Sequence, residues 1–576
     1  MSIRAAQSAA FSALQSSQTG IAVSSNNIAN ASVEGYTTKS TSLASNVSGG
    51  SAVGVSVTSV GSSVDSYLIK AINEAASESG YASVFADPLE IVSSNFGSVG
   101  DDDAISTLIT DLETSIASLA ASADSQSAKS LVLTDAEQIA SELNSLSASV
   151  QDQRAAADQS IEDTIDQINS LLNEIQSYNE QLTGTDGTTL ASSELEDARA
   201  VAIQELSELV DVTYYTSSSN QTQVYIGGTL VVGSQVQELE YNAVGTVNAD
   251  TVFGDITVNG KSISDDISGG ELGGLIDLRD ETLPGIQDEL DALAVTLMDS
   301  INAVTNLGTS YPGPTELTSS ETTALTDAFS GTGTVRLVAT DEDGNATEIL
   351  DIDLTTVTTV TTVQDLVDQI NASANMTATV NADGTLTIAS SDDDYGVSIV
   401  NMDAEVGADA QGFSDYFGLN DMFTGTGADD ISVNAAWLAD SSLVPTGSGS
   451  NDAALAVGDS VISSGSSDVA EALANVFDTN VSFDAAGNLG STKTTLSDYA
   501  SEILSDVAQQ ASSAETKASV ASTAYSDLVE SFSNQYGVNT DEEALTMANL
   551  ESAYEAAAAI LEITQSLMDT LLEAVR

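Results

Sequence analysis

The sequence has 576 residues, of which 41% are hydrophobic; this suits several globular domains and is too long for one hydrophobic core. Its 12 Lys and Arg against 86 Asp and Glu give a net charge of −74, which excludes nucleic acid and anionic membranes as partners, because phosphates bind basic side chains. The absence of Cys and His excludes disulfides, thiol nucleophiles, His-dependent triads and His-containing zinc sites.

The acidity and the N-terminus bear on where the protein works. We interpret the acidity as an adaptation to a salty exterior; a role in solubility alone is the alternative. Residues 1–7 lack the apolar region and cleavage site of a secretory signal, and no segment approaches the roughly 18 apolar residues of a membrane helix. We therefore expect no membrane span and, if the protein is exported, an intact N-terminus.

The first predicted element is a helix over about residues 4–30. Leu14, Ile21 and Ile28 recur along it every seven residues. The alternate seam positions hold mostly small residues, namely Ile3, Ala10, Ser17 and Ser24. This narrow apolar row predicts a coiled-coil-like contact with another helix.

A second long helix is predicted from residue 134 to about residue 182. Residues 134–137 match a capping box, in which Thr is followed three residues later by Glu. An apolar row then continues at seven-residue spacing through Ile161, Ile168, Ile175 and Leu182. At 1.5 Å per residue, this helix would be about 70 Å long.

Beyond this helix the pattern changes to short strands. β-Hairpins are predicted at three places, marked by Gly227–Gly228, Asn259–Gly260 and Asp383–Gly384. Residues 310–480 are rich in Thr, Asp and Gly and predict one inserted β-rich domain, with a short helix near residues 363–370. The Ser- and Gly-rich residues 440–466 predict a loop.

Two helical segments close the chain. The first keeps apolar heptads over residues 500–532 and ends near Gly537, and the second starts at a capping box with Thr540 as N-cap. The second segment has two seven-residue rows. One is Leu550, Ala557, Thr564 and Leu571, and the other is Tyr554, Leu561, Met568 and Val575. Chain ends normally fray, so apolar rows that continue almost to the last residue predict that a partner covers them. Ordinary packing within the chain is the alternative.

The seams at both ends are the predicted assembly interface. We expect them to lack cover in a single chain, so that they become ordered only when other copies bury them. The predicted interface consists of Leu14, Ile21, Ile28, Leu550, Tyr554, Ala557, Leu561, Met568 and Leu571.

Three patterns resemble catalytic or ligand-binding motifs, but each lacks a feature that the motif requires. The run 260–262, Gly-Lys-Ser, lacks the earlier glycine of a phosphate loop, since residue 255 is Asp. The Asp runs at 101–103 and 392–394 miss the spacing of calcium loops. A glycosidase cleft needs aromatic side chains, and Trp437 is the only Trp. We therefore predict no enzyme, no metal site and no cofactor.

These patterns predict a multidomain α+β protein. Long terminal α-helices form a coiled-coil-like rod, joined to β-hairpins and an inserted β-rich outer domain. The predicted domains are a terminal helical assembly domain (1–60 with 538–576), a long-helix bundle with β-hairpins (61–309 with 481–537) and the inserted outer domain (310–480).

Residues 26–36 carry a recognisable motif, Asn26-Asn27-Ile28-Ala29-Asn30 followed by Gly35-Tyr36. The motif resembles the N-terminal signature of the bacterial flagellar axial proteins, a family of rod, hook and hook-associated proteins. In that family the first helix ends at the Asn-rich segment and a turn leads to Gly-Tyr, which suits the turn preference of Asn and the backbone freedom of Gly.

Further segments are similar to one branch of that family, the hook-associated protein 1 branch. They are residues 267–275, 278–285, 290–308, 417–421 and 549–554. The resemblance covers most of the chain and is weakest over 310–410.

The resemblance implies a structural junction protein between hook and filament, extracellular and exported through the flagellar type III channel without a cleaved signal. It implies a ring of about eleven copies, with the hook protein and hook-associated protein 3 as neighbours and an export chaperone bound at the C-terminal region. Another axial protein, either the hook protein or hook-associated protein 3, is the nearest alternative. An acidic extracellular adhesin or surface-layer protein is the alternative from another class.

Overall fold

The structure, a computed structural model, describes residues 3–48, 51–183, 185, 188–355, 361–392 and 394–575. Its helices are α1 (Ile3–Ala29), α2 (Ser66–Phe96), α3 (Ile105–Ala121), α4 (Gln126–Thr183), α5 (Leu190–Leu209), α6 (Gly270–Asp277), α7 (Leu283–Thr305), α8 (Val363–Ile370), α9 (Phe413–Phe417), α10 (Ala435–Ala439), α11 (Asp468–Phe477), α12 (Leu496–Tyr536) and α13 (Thr540–Val575). Short 3-10 turns span Ser264–Asp266 and Ser441–Leu443, and a π turn spans Leu278–Thr282.

The strands are short and lie mostly in the middle of the chain. They are β1 (Ser40–Ser48), β2 (Ser51–Gly61), β3 (Val212–Thr216), β4 (Thr222–Ile226), β5 (Thr229–Val232), β6 (Leu239–Glu240), β7 (Thr257–Val258), β8 (Lys261–Ser262), β9 (Glu316–Thr322), β10 (Gly331–Thr332), β11 (Thr334–Thr340), β12 (Ala346–Asp353), β13 (Met376–Val380), β14 (Thr385–Ser390), β15 (Gly396–Asn401), β16 (Glu405–Val406), β17 (Phe423–Thr424), β18 (Ser432–Val433), β19 (Val481–Phe483) and β20 (Thr492–Thr494).

The strands form small antiparallel sheets. Two-stranded sheets pair β1 with β2, β10 with β16, β17 with β18 and β19 with β20. Three-stranded sheets have the orders β3-β4-β5, β6-β7-β8, β12-β11-β15 and β13-β14-β9. The three predicted hairpins are confirmed, and both central residues of the Gly227–Gly228 and Asn259–Gly260 turns have positive φ, as type I′ turns require. Together with the long helices, these sheets confirm the predicted α+β class.

The spine of the molecule is α4, with 58 residues. It packs against α3, α5, α6 and α7, while α12 lies along α2. The predicted row of Ile161, Ile168 and Ile175 is buried in this core, because residues at helical spacing share one face. The predicted start at Thr134 is wrong: the helix begins at Gln126, and the Thr134 hydroxyl donates to the Ser130 carbonyl (2.9 Å) within a continuing turn.

The last helix begins where predicted, but its cap differs. The Asn539 side-chain oxygen accepts hydrogen bonds from the backbone N–H groups of Asp541 (3.1 Å) and Glu542 (3.3 Å). Asn539 therefore caps α13 in place of the predicted Thr540, since an N-cap side chain satisfies the free N–H groups of the first turn.

The inserted part has an apolar core of its own, built by β11, β12, β15 and the helix α8. That core runs from Leu317 to Leu419, whereas Met422, Trp437 and Leu473 join the main core around α4. Val461 of the returning segment packs instead on Val338 and Ala346 of the insert, so the boundary at residue 480 stays a prediction. The strand pattern did not reveal this division, because returning segments near residues 422–477 are too short to show which core they join.

A buried guanidinium anchors the segment after α6. Arg279 Nη1 donates to the Asp158 carboxylate (2.7 Å) and to the Tyr241 hydroxyl (2.6 Å), and Nη2 donates to Asp280 (2.8 Å). Its guanidinium carbon lies 4.1 Å from the ring centroid of Phe253. A buried charge needs such pairing, and this one ties α4 to the central hairpins.

Candidate assembly surface

The two ends of the chain meet as an antiparallel helix pair. A Cβ at Gly20 would lie 2.8 Å from Leu550 Cδ1, so the side chain of Leu550 sits directly on α1. Beyond α1, Thr38 binds the turn before α13: its N–H donates to the Tyr536 carbonyl (2.8 Å) and its hydroxyl to the Gly537 carbonyl (2.8 Å). Small residues on α1 let the two helices approach closely.

The predicted seam residues divide into three groups. Ala557 is buried, at 4% exposure. Half-buried are Leu14, Ile21, Ile28, Leu550, Leu561 and Met568. Exposed are Tyr554 and Leu571.

The expectation that these seams lack cover in a single chain is therefore wrong for Leu550 and Ala557. The reason is that α13 packs on α1 of the same chain, which buries Ala557 and Thr564 and half-buries Leu550. That the nine residues also contact other copies stays a prediction.

A second apolar row on α13 was missed by the heptad analysis, except for Leu571. Ile560, Ile563, Leu567 and Leu571, with Leu572 beside them, are all exposed large apolar side chains. Their spacing of three and four residues places them on one helix face. The spacing was visible in the sequence, but a strict seven-residue register selects only the narrower row. We call these five residues the outer stripe.

The Asn-rich motif forms a hydrogen-bonded corner after α1. Asn27 Nδ2 donates to the Lys39 carbonyl (2.9 Å), and its Oδ1 accepts from the Lys39 N–H (3.1 Å) and the Tyr36 hydroxyl (2.9 Å). Asn30 Nδ2 donates back to the Asn26 carbonyl (3.0 Å), and Asn26 donates to the Glu194 carboxylate of α5. The motif thus fixes the direction in which the chain leaves the helix pair.

A buried ion pair completes this corner, and the sequence analysis missed both partners. The Lys39 ammonium binds Asp197 of α5 and donates to the Thr37 hydroxyl (2.7 Å). The Thr37 N–H also donates to Asp197 (2.8 Å). Burial lowers the pKa of Lys39, and Asp197 opposes that shift; burial raises the pKa of Tyr36 to about 12, with Glu194 and Asp197 adding to the shift.

Steric constraints explain why glycine occupies position 35 of the motif. Its φ is +68°, in the left-handed region that favours glycine. A Cβ at this position would also clash with Cγ2 of Val201 on α5. The turn therefore accepts only glycine without rearrangement.

The patterns that suggested chemistry lie on turns. Lys261 and Ser262 form an exposed strand after a hairpin turn. The described residues contain no group of three or more Asp or Glu side chains placed to hold a metal ion, and Asp393 of the second Asp run lies outside them. Within the same described residues, no helix is long and apolar enough to cross a lipid bilayer.

Comparisons with known proteins agree with this arrangement. Residues 92–317 match the family described as flagellar hook-associated protein FlgK helical domain, and residues 8–37 match the flagella basal body rod protein family. The flagellar hook-associated protein 1 of Salmonella typhimurium is 23% identical over 582 residues, covering 98% of both chains. That of Bacillus subtilis is 25% identical over 248 residues, covering 41% of this chain and 48% of its own.

One solved structure has a similar fold. The flagellar hook junction protein FlgK from Burkholderia pseudomallei superimposes with a TM-score of 0.50 at 17% identity, over 80% of this chain and 98% of its own. The helical-domain match, the alignment over nearly the whole length and the shared fold agree with the motif at the end of α1. Over nearly its whole length the chain is similar to flagellar hook-associated protein 1, and residues 92–317 match the helical domain of that family.

Proposed function

We propose that the chain is a structural subunit that joins hook to filament in the bacterial flagellum. The observation that carries the proposal is similarity over the whole length, since 98% of the chain aligns with 98% of hook-associated protein 1 from Salmonella typhimurium. The related Burkholderia pseudomallei protein is described as a hook junction protein. A structural role without catalysis fits a chain that has neither Cys nor His.

The helix pair α1–α13 supplies the assembly surface in this proposal. Ala557 and Thr564 of α13 pack within the chain, and the outer stripe remains for contacts between subunits. Burying one Leu or Ile side chain contributes about 1.5–3 kcal/mol before the ordering entropy is subtracted. Five such side chains per copy, repeated around a ring, would make a durable joint. The nine predicted seam residues would contribute through the parts that remain half-buried or exposed.

The neighbours follow from the same proposal. The hook protein would lie on one side and hook-associated protein 3 on the other, in a ring of about eleven copies. The exposed outer stripe also suits an export chaperone that covers the C-terminal region before assembly. The location would be outside the cell, reached through the flagellar type III channel.

Electron microscopy tests the proposal. Because the chain has no Cys, a Val457→Cys variant can carry a single gold label on an exposed loop. In flagella that lack filaments, the label is expected as one band at the hook tip. A label along the hook would indicate a hook protein, and absence from the flagellum would refute the junction role.

A further inference from the structure

Charge is divided very unevenly along this chain. Residues 1–64 contain two bases, Arg4 and Lys39, and one acid, Glu34, which leaves a net −75 on the remaining 512 residues. An even spread of the 86 acids over the chain would place about ten in these 64 residues. The first helix and the following hairpin therefore form a nearly acid-free region on a strongly acidic protein.

The rest of the surface is more acidic than the net charge suggests. Half of the 12 basic residues have buried side chains: Lys39, Lys129, Arg154, Arg199, Arg279 and Arg336. Lys39, Arg279 and Arg336 form ion pairs inside the molecule, and the other three donate to carbonyl or amide oxygens of the same chain. Two such surfaces repel each other on contact, because like charges closer than the screening length of about 8–10 Å interact directly.

The hairpin β1–β2 offers a contact without that repulsion. Residues 40–64 contain no Asp, Glu, Lys or Arg. Leu43 and Val47 of β1 are exposed, and the rest of the strand from Ser42 to Asn46 is exposed with them. The strand has two register shifts, at Ser42/Leu43 and Asn46/Val47, but an exposed strand without charge or proline still offers a surface that other chains can bind.

Only one edge of the hairpin is free. The β2 side faces the body of the chain, since the Val55 N–H donates to the Ser12 hydroxyl (3.1 Å) and the Val60 N–H to the Thr188 carbonyl (2.9 Å). Among the described residues, β1 pairs with no strand other than β2. The free backbone groups of β1 and its apolar side chains thus point away from the molecule.

From the charge division and the free edge, we infer that the β1–β2 hairpin is a docking surface for the acidic body of a second copy of this chain. The inference rests on the proposed junction role, because only an assembly brings copies together. The second copy is the occupant whose charge fits: its body carries the net −75, and the hairpin carries no acid to repel it.

Labelling of a single cysteine tests the contact. Val47→Cys and Val457→Cys are a matched pair, because the two valines are 65% and 67% exposed and the chain has no other Cys. A maleimide should label both at equal rates in the purified chain. In isolated flagella, Cys at position 47 should react at least about tenfold more slowly, while the control should react as before. Equal rates in flagella would overturn the proposal.

A photo-cross-linker on the same cysteine identifies the occupant. With benzophenone at position 47, isolated flagella should give an adduct of twice the mass of the chain, with the linked peptide in the acidic body. Adducts exclusively with other flagellar proteins would overturn the second-copy assignment.

The sign of an added charge tests the electrostatic argument. Val47→Glu is expected to reduce incorporation into flagella at least about tenfold, whereas Val47→Lys and the control Val457→Glu should incorporate like the unmodified chain. If Val47→Glu and Val47→Lys reduced incorporation equally, the assignment of an acidic partner surface would be overturned.

Failure of this inference is separable from failure of the junction role. If the gold-labelled chain stands at the hook tip and the Val47 variants behave like their controls, only the hairpin contact is refuted. If the unmodified chain is absent from the flagellum, the proposed junction role itself is refuted.

Discussion

Asn27 and Lys39 are joined by two hydrogen bonds that run in opposite directions between one side chain and one backbone. Asn27→Ala removes both bonds and leaves a buried N–H and a buried carbonyl unpaired. We expect a loss of about 2–4 kcal/mol in local stability. Hydrogen exchange of the backbone amides from 36 to 42 measures it, because a multidomain chain has no single unfolding free energy.

The matched control is Asn30→Ala. The Asn30 amide donates to Asn26, one turn earlier, at 3.0 Å to the carbonyl and 3.1 Å to the side-chain oxygen. Its loss should cost less than about 1 kcal/mol. Equal acceleration of exchange in both variants would contradict the special position of Asn27.

Gly35→Ala is expected to open the same corner for a different reason. The added methyl group meets both a left-handed backbone and the Val201 side chain. We expect destabilisation above about 2 kcal/mol, measured by amide exchange in the turn. The double variant Gly35→Ala with Val201→Ala should recover part of that loss.

A second glycine separates strain from collision. Gly228 has nearly the same φ, +69°, but its added Cβ would enter open space. Gly228→Ala should therefore cost only the backbone strain, about 1 kcal/mol. If both alanines cost the same, the contact with Val201 has no part in the motif.

Local patterns predicted the helices and hairpins because their causes lie within a few residues. Seven-residue rows located α1, α12 and α13, and the Gly-Gly and Asn-Gly pairs located turns whose φ values are positive. Contacts between distant segments left no such signal. The ion pair of Lys39 with Asp197 spans 158 residues, and a chain with 86 acids offers too many partners to choose from.

The seam shows why the candidate site was only partly predictable. Periodicity identifies an apolar face but not the helix that covers it. From the sequence pattern, Leu550 could contact either another copy or α1 of its own chain. In the structure its side chain lies on Gly20 of α1. Ile563 belongs to a face that the heptad register excludes, although its exposure makes it the better candidate for contacts between copies.

Ile563→Asp should block assembly without unfolding the chain. Ile563 is 60% exposed, so the charged side chain remains in water in the single chain but would be buried at a subunit contact. We expect at least about a tenfold loss of incorporation into flagella, with unchanged helical circular dichroism. Leu561→Asp should block incorporation too and also loosen α13, because Leu561 is half-buried.

The control for that series is Val520→Asp, on the exposed face of α12. Val520 is 64% exposed, so the same charge is added to a helix outside the outer stripe. It should incorporate normally. Normal incorporation of Ile563→Asp would remove the outer stripe from the assembly surface.

Glu289 of α7 gives the main core a dependence on pH. Its carboxyl is fully buried; one oxygen accepts from the Asn488 N–H (2.9 Å), and the other has no hydrogen-bond partner. Burial raises the pKa of Glu289 to about 8, and Asp506 and Asp288 add to the shift against the bonds from Asn488 and Leu489. The folded chain therefore holds a proton that the unfolded chain releases near the ordinary pKa of 4.5.

Stability from this carboxyl is largest below the unfolded pKa and is lost as pH rises toward the folded pKa, because only the unfolded state gains by ionising in that window. Glu289→Gln keeps the acceptor for Asn488 and removes the ionisation. The urea midpoint, followed by the fluorescence of the buried Trp437 in the same core, should match the unmodified chain near about pH 5 and exceed it near about pH 9. Glu515→Gln, on the exposed face of α12, removes one acid without this effect. Parallel pH profiles for the two variants would show that Glu289 is ionised in the folded core.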